Sequence, residues 1–234
     1  MIVSYDGKNY SGFQKQKNNI TIQEKLENAL KLITKKEVNC VASGRTDAKV
    51  SAFFQPVHFD IETNLNTQKF LHSINGILPD DIKVLSIVQT DLHARFSPKR
   101  KTYLYKMYIS NVAQPLYSDA LQISPNLNMK NMKKFLKLIV GTHDFIGFRA
   151  SGGVNETTVR TIYKAKLKKQ GTHLNFYVTG NGFLYKMVRN IVGTMLKVGE
   201  GKITLKDLKQ ILFSTYKSTH TAKPEYLYLF NVKY

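Results

Sequence analysis

Segments with the two-residue period of strands and segments with the 3.6-residue period of helices interleave along the whole chain, and this interleaving constrains the fold more than any single motif. Met1 to Tyr5 reads as a short strand. TIQEKLENALKLITKK reads as a helix: Thr21 and Glu24 have capping-box spacing, Ile22, Leu26, Ala29, Leu30 and Ile33 share a face, and Lys35 and Lys36 sit at the end where the macrodipole favours cations. Val38 to Ala42 then reads as strand, SGRTDA as loop, and Pro56 to Ile61 as a strand with Val57, Phe59 and Ile61 alternating. A helix over Thr67 to Ile77, a strand over Ile82 to Val88 and the alternating TYLYKMYIS follow.

The remainder repeats the theme. NMKNMKKFLKLIVG is a helix closed by Gly141, Val159 to Lys168 and Leu174 to Val178 alternate as strands, and GFLYKMVRNIVGTMLKVG has strong helical spacing. A last helix begins near Thr204, and Tyr226 to Lys233 closes as strand. This order predicts an α+β fold of two ferredoxin-like (RRM-like) halves, residues 1–110 and 111–234, around a mainly antiparallel sheet with a central basic catalytic cleft.

Charge narrows the partners. The 234 residues carry 35 Lys and Arg against 16 Asp and Glu, a net +19, which points to a polyanion. No run of about 18 apolar residues could span a bilayer and MIVSYDGKNY does not read as a leader, so nucleic acid is favoured over membrane and a cytoplasmic protein is expected. The single cysteine, Cys40, leaves no internal disulfide, and the six histidines lack metal-binding spacing, so no metal site is expected.

Three stretches could carry chemistry. In the helix expected at 183–198, Phe183, Met187, Ile191 and Met195 form a core side, while Lys186, Arg189, Asn190, Gly193 and Lys197 form a polar stripe that is either solvated or suited to a phosphate or a carboxylate. RFSPKRKTYLYKMY alternates cations with aromatics, which suits RNA with exposed bases and also describes a half-buried edge strand. In SGRTDA, Asp47 is either a turn-capping residue or, kept ionised beside Arg45, a nucleophile or base.

Taken together, SYDGKNYSGFQ, TIQEKLENAL, SGRTDA, NGILPDDI, HARFSP, KTYLY, HDFIGFR, TVRTI and NGFLYKMVRNIVG, in this order, resemble the tRNA pseudouridine synthase A (TruA-like) family over essentially the whole chain. The resemblance implies that Asp47 is the catalytic aspartate, that Arg45 helps displace the target base, and that Tyr103 stacks on the uracil and takes part in proton transfer. It further implies that Arg189 is the basic residue serving the aspartate and that Leu227 lines the pocket; the basic face of the 183–198 helix adds Lys186 as a substrate-binding residue. The implied substrate is uridine at nucleotides 38, 39 and 40 of the tRNA anticodon stem-loop, acted on by a homodimer. Isomerising uridine transfers no electrons or groups to a third party, so no cofactor is expected.

Two positions depart from the family's usual GRTDAGVHA: Lys49 replaces a glycine and Ser51 a histidine. Tyr226, beside Leu227, also stands where a glycine is usual. If position 49 needs positive φ, Lys49 costs on the order of 1 kcal/mol or reshapes the loop. One alternative is therefore a tRNA-binding or chaperone homologue with impaired catalysis. Another, a metal-dependent nuclease, needs a carboxylate cluster that the sequence around Asp47 does not offer.

Overall fold

In a computed structural model, which describes residues 1–152, 157–213, 218 and 220–234, the alternation of IVSY becomes strand β1 (Ile2–Tyr5) with Val3 and Tyr5 buried. Helix α1 (Ile22–Thr34) starts where the Thr21 hydroxyl accepts the Glu24 N–H at 3.4 Å, and stops where Lys35 turns to a φ of 59°. Its Ile22, Leu26 and Leu30 are fully buried, each contributing about 1.5–3 kcal/mol of hydrophobic stabilisation.

The strand expected at Val38 to Ala42 shrinks to β2 (Val41–Ala42). The reason lies on α1: the Glu27 carboxylate accepts the Cys40 N–H at 3.1 Å and the Gln23 amide donates to the Cys40 carbonyl at 3.1 Å, so helix side chains replace the ladder. Strand β3 (Ser51–His58) begins five residues earlier than the alternation indicated and ends before Phe59. Helix α2 (Thr67–Ile77), capped by the Asn66 side chain on the Lys69 N–H at 2.9 Å, and β4 (Ile82–Ser86) complete this stretch. Strand β1 lies antiparallel to both β3 and β4, with Ile2 opposite Pro56 and Val3 opposite Val84.

A second body starts with β5 (Arg100–Ile109), flanked on one side by the short parallel β6 (Leu121–Ile123). Helix α3 (Met129–Ile139) leads through Gly141, at φ +119°, into β7 (Gly141–Asp144). Strands β8 (Val159–Gln170) and β9 (His173–Gly180) form a hairpin turned at Gly171. Strand β9 pairs antiparallel with β5 from Lys101 opposite Gly180 to Tyr108 opposite His173.

Helix α4 (Met187–Gly199) packs on α3, and α5 (Leu205–Phe213) follows it. Gly199 lets the two helices close: a β-carbon there would stand 2.8 Å from Met132 Sδ.

Strand β10 (Leu227–Lys233) returns to the first body, running parallel to β3 with Tyr228 opposite Ser51 and Leu229 opposite Ala52. Pairing with β1 back to Ala52 and with β10 at Ser51 and Ala52 together extends β3 backwards to Ser51. The two compact units are thus Met1–Lys99 with Tyr228–Tyr234, and Arg100–Leu227. Antiparallel pairing dominates both, which is the α+β class expected from the sequence. Among the described residues no helix is long and apolar enough to cross a membrane, and no group of three or more His, Cys, Asp or Glu is placed to hold a metal ion.

Candidate active site

In the first unit, the loop between β2 and β3 carries Arg45 and Asp47 and is held from behind by the segment after β1. Gly12 has φ +95°, and a β-carbon on it would stand 2.7 Å from the Thr46 carbonyl oxygen and 3.1 Å from the Asp47 carbonyl carbon. Gly7 is as close to the loop's far end, 2.1 Å from the Val50 carbonyl oxygen by the same construction. Only residues without side chains let one backbone lie on another in this way. Two backbone bonds use the contact: Phe13 N–H to Thr46 O at 3.1 Å and Lys49 N–H to Tyr10 O at 3.0 Å.

A buried polar network fixes the near end. Gln55, with no exposed surface, donates to the Gly44 carbonyl at 2.6 Å, and the Tyr5 and Thr46 hydroxyls are 2.8 Å apart. Burial pushes the Tyr5 phenol up to about 12, partly offset by its hydrogen bonds to Thr46 and Gln55. Tyr5 is therefore neutral and structural, accepting the Gln55 amide N–H at 3.4 Å. Satisfied buried networks of this kind specify a single geometry.

Both departures from the family pattern have a place here. Lys49 takes φ +65° in a turn closed by the Val50 N–H on the Asp47 carbonyl at 3.1 Å, so the lysine adopts the left-handed conformation instead of reshaping the turn. The cost is about 1–2 kcal/mol. Ser51 is buried; its hydroxyl accepts the Gly7 N–H at 2.9 Å and donates to the Asp6 carboxylate at 3.3 Å, tying the loop's exit to the DG of SYDG. Arg45 is exposed and reaches back to Gln14 Oε1 at 2.8 Å, while Asp47 is half-buried.

The second unit positions the other sequence-predicted residues. Tyr103 lies on β5 opposite Val178, half-buried, with the Phe183 ring edge-on at 5.2 Å. Two residues on, Tyr105 is fully buried and donates to the Lys223 carbonyl at 3.0 Å. Burial raises its phenol far above the usual range, with Tyr226 adding to the effect and the Arg189 charge opposing it. Arg189 donates from Nε to the Ala222 carbonyl at 2.8 Å, and its own carbonyl accepts the Ala222 N–H at 3.1 Å. Leu227 is buried, just past the short turn Pro224–Tyr226, and the Tyr226 ring stands edge-on to Tyr105 at 6.3 Å.

Two expectations about α4 need correction. The helix starts at Met187, not at 183: Lys186 has φ 55°, the Met187 N–H bonds the Leu184 carbonyl at 3.0 Å as a turn, and the Tyr185 carbonyl is taken by the Ala150 N–H. Helical spacing thus continues through residues that are not helical, freeing Phe183 to meet Tyr103 and Lys186 to lie over the Tyr185 ring at 5.0 Å. Nor is the stripe Arg189, Asn190, Gly193 an open polar face. Asn190 is buried, donating to the Phe148 carbonyl at 2.8 Å and accepting from the Thr221 hydroxyl at 2.6 Å, and a β-carbon on Gly193 would stand 2.1 Å from the His220 carbonyl oxygen. The stripe is a seat for His220, Thr221 and Ala222, and Ala222 in turn holds Arg189.

Gln55, Gly7 and Gly12, which hold the loop of Asp47, were passed over by the sequence reading, and Phe183, beside Tyr103, was read only as helix core. The glycines of SYDGKNYSG had a signal in their motif. A buried Gln inside a strand had none.

Two sets of residues, one around an aspartate-bearing loop and one around a strand tyrosine and a helix arginine, on an α+β fold with +19 net charge, describe an enzyme that works on RNA. A model of the family described as tRNA pseudouridine synthase matches residues 1–97 and 135–234, and the chain belongs to that family. It is 41% identical to the tRNA pseudouridine synthase A of Thermoanaerobacter sp. (strain X514) over 239 residues, covering 100% of this chain and 98% of that one. Similarity is comparable to the tRNA pseudouridine synthase A of Exiguobacterium sp. (strain ATCC BAA-1283 / AT1b), 38% over 100% of this chain and 96% of that one. With the Clostridium acetobutylicum protein of the same name it is 42% over 92% and 89%. The chain is an isomerase that converts uridine to pseudouridine in tRNA.

Proposed function

We propose that this enzyme acts on uridines 38, 39 and 40 of the tRNA anticodon stem-loop, as a cytoplasmic homodimer, with Asp47 as its essential carboxylate. The observation that supports this most is the backbone-on-backbone clamp that Gly7 and Gly12 place behind the loop of Asp47. A loop without a positional task has no need of such a clamp, whereas a carboxylate that must meet one atom of a flipped nucleotide does.

In this reading Asp47 attacks or assists at C1′ as the N1–C1′ bond breaks, the uracil turns while still enclosed, and C5 bonds to C1′ as any bond from the carboxylate to C1′ breaks and Asp47 is regenerated. The C5 proton is lost to solvent, N1 takes up a proton, and no electrons leave or enter. Tyr103, steadied by Phe183, is the stacking surface for the uracil and takes part in the proton transfer. Arg189, fixed through Ala222, is the cation that serves the carboxylate. Arg45 replaces the flipped base in its stack, offsetting an unstacking cost of a few kcal/mol. Leu227 lines the pocket, and Lys186 meets the phosphate backbone.

Mapping pseudouridine by carbodiimide-dependent primer-extension stops tests the positions. After incubation of an unmodified tRNA bearing uridines throughout the anticodon arm, stops are expected at 38, 39 and 40 alone; stops confined to another arm would refute the assignment.

A further inference from the structure

Among the residues that the chemistry above does not use, the HARFSP segment at 93–98 is unusual. Every backbone N–H from His93 to Ser97 has a partner, although the segment is neither helix nor strand. The His93 N–H goes to the Ser97 hydroxyl at 3.1 Å, and the Ala94 N–H to His58 Nδ1 at 3.1 Å. The Arg95 and Phe96 N–H groups both go to His93 Nδ1, at 3.1 and 3.3 Å, and the Ser97 N–H to the His93 carbonyl at 3.0 Å. Tyr234 adds a hydrogen bond to the Ala94 carbonyl at 3.1 Å.

What this rigid turn presents is a single aromatic ring. Phe96 is 76% exposed, backed by the His93 ring at 4.5 Å with 27° between planes, and His93 is backed in turn by His58 at 4.2 Å. The exposed guanidinium of Arg95 lies 5.5 Å from the Phe96 centroid. An isolated ring of this size, about 200 Å², falls far short of the roughly 1,200–2,000 Å² of a stable protein interface. It matches the π-face of one nucleobase, and the neighbouring cation suits the phosphate that comes with it.

We infer that Phe96 is a stacking platform for one unpaired base of the RNA substrate, with His93 and His58 as its positioning residues and Arg95 as its phosphate contact. The inference rests on the RNA-modifying role assigned above. It adds a nucleotide-binding point on the surface of the first unit. Because its backbone bonds are already made, the turn loses little entropy when the base arrives.

The chain has no tryptophan, so Phe96→Trp supplies a sole indole at the point in question, excited at the red edge where its 13 tyrosines do not absorb. Its emission should be quenched on titration with tRNA or single-stranded oligouridine, and not by blunt duplex RNA. Phe96→Ala should raise the Kd for tRNA about 5- to 100-fold while leaving kcat at saturating tRNA and the salt slope of log Kd unchanged, since the ring carries no charge. Arg95→Ala should lower that slope by about 0.7–0.9. Adding His93→Ala to Phe96→Trp should lower the anisotropy of the free protein and weaken the quench. No quench at saturating tRNA, equal quench by duplex, or an unchanged Kd in Phe96→Ala would overturn the platform. Tritium release by the wild type, run in parallel, tests the synthase reading separately: normal release without quench faults the platform alone.

Discussion

Replacing Gly12 by alanine should damage catalysis without touching substrate. The φ of +95° costs an L-residue about 1–2 kcal/mol, and the added β-carbon, 2.7 Å from the Thr46 carbonyl oxygen and 3.1 Å from the Ala48 nitrogen, brings an overpacking cost of about 1–3 kcal/mol because its neighbours are backbone. The sum, roughly 2–5 kcal/mol, is a large share of the ~5–15 kcal/mol that a folded chain has to spare. At about 2–4 °C per kcal/mol for a chain of this size, the melting temperature should fall by roughly 4–20 °C. Whatever part of the strain is relieved by moving the loop moves Asp47 with it, and a displacement of about 1 Å can cost on the order of 100-fold in kcat. Gly171→Ala is the control: its φ is +58°, but nothing lies within 4 Å, so it should lose only about 1–2 kcal/mol and keep its turnover. Gly7→Ala isolates the opposite case, close contact with Val50 at ordinary φ. Thermal melts and single-turnover rates decide the matter. If Gly12→Ala melts and turns over like Gly171→Ala, the clamp does not position the aspartate.

Lys49→Gly should change stability by less than about 1 kcal/mol, since relief of the left-handed cost is offset by extra freedom in the unfolded chain, and should leave kcat unchanged; Lys49→Val should destabilise by roughly 1–2 kcal/mol, as read by urea denaturation. His58 is held below its ordinary pKa of 6.5 by burial first and then by His93, with the Met1 ammonium in the same sense and Asp60 opposing. The unfolded chain therefore binds the proton more readily, and the stability that His58 contributes is present above pH 6.5 and lost as pH falls through the folded pKa. Denaturation midpoints should drop with acidification in that window for the wild type and less steeply for His58→Gln, and equal slopes would contradict the linkage.

Much of the fold was legible because the helices announce themselves by their apolar faces, and α1 also by its cap, where Thr21 accepts the Glu24 N–H as its position predicts. Most strands were legible in kind but not in extent, and the short β6 and β7 were not read at all. Strand β3 owes its first residues to β1, about 50 positions away, and to β10, about 175 away, and β2 loses its expected length to the side chains of Gln23 and Glu27. The start of α4 was misplaced because spacing records which residues face inward and not whether the backbone between them is helical. For the site, motifs placed Asp47, Tyr103 and Arg189 on their elements. The apparatus around them, Gln55 under the loop and Ala222 against Arg189, consists of long-range contacts that carry no local pattern.

The central claim, that Asp47 performs the isomerisation, is tested most directly by tritium release from tRNA labelled at uridine C5, comparing wild type with Asp47→Asn at matched tRNA occupancy and without added metal. Release by the wild type, with none from Asp47→Asn at an affinity within about threefold of wild type, is the predicted result. Release by Asp47→Asn would remove the aspartate from the chemistry. Silence from a wild type that still binds tRNA would mean that Lys49 and Ser51 hold the carboxylate in the loop but out of use.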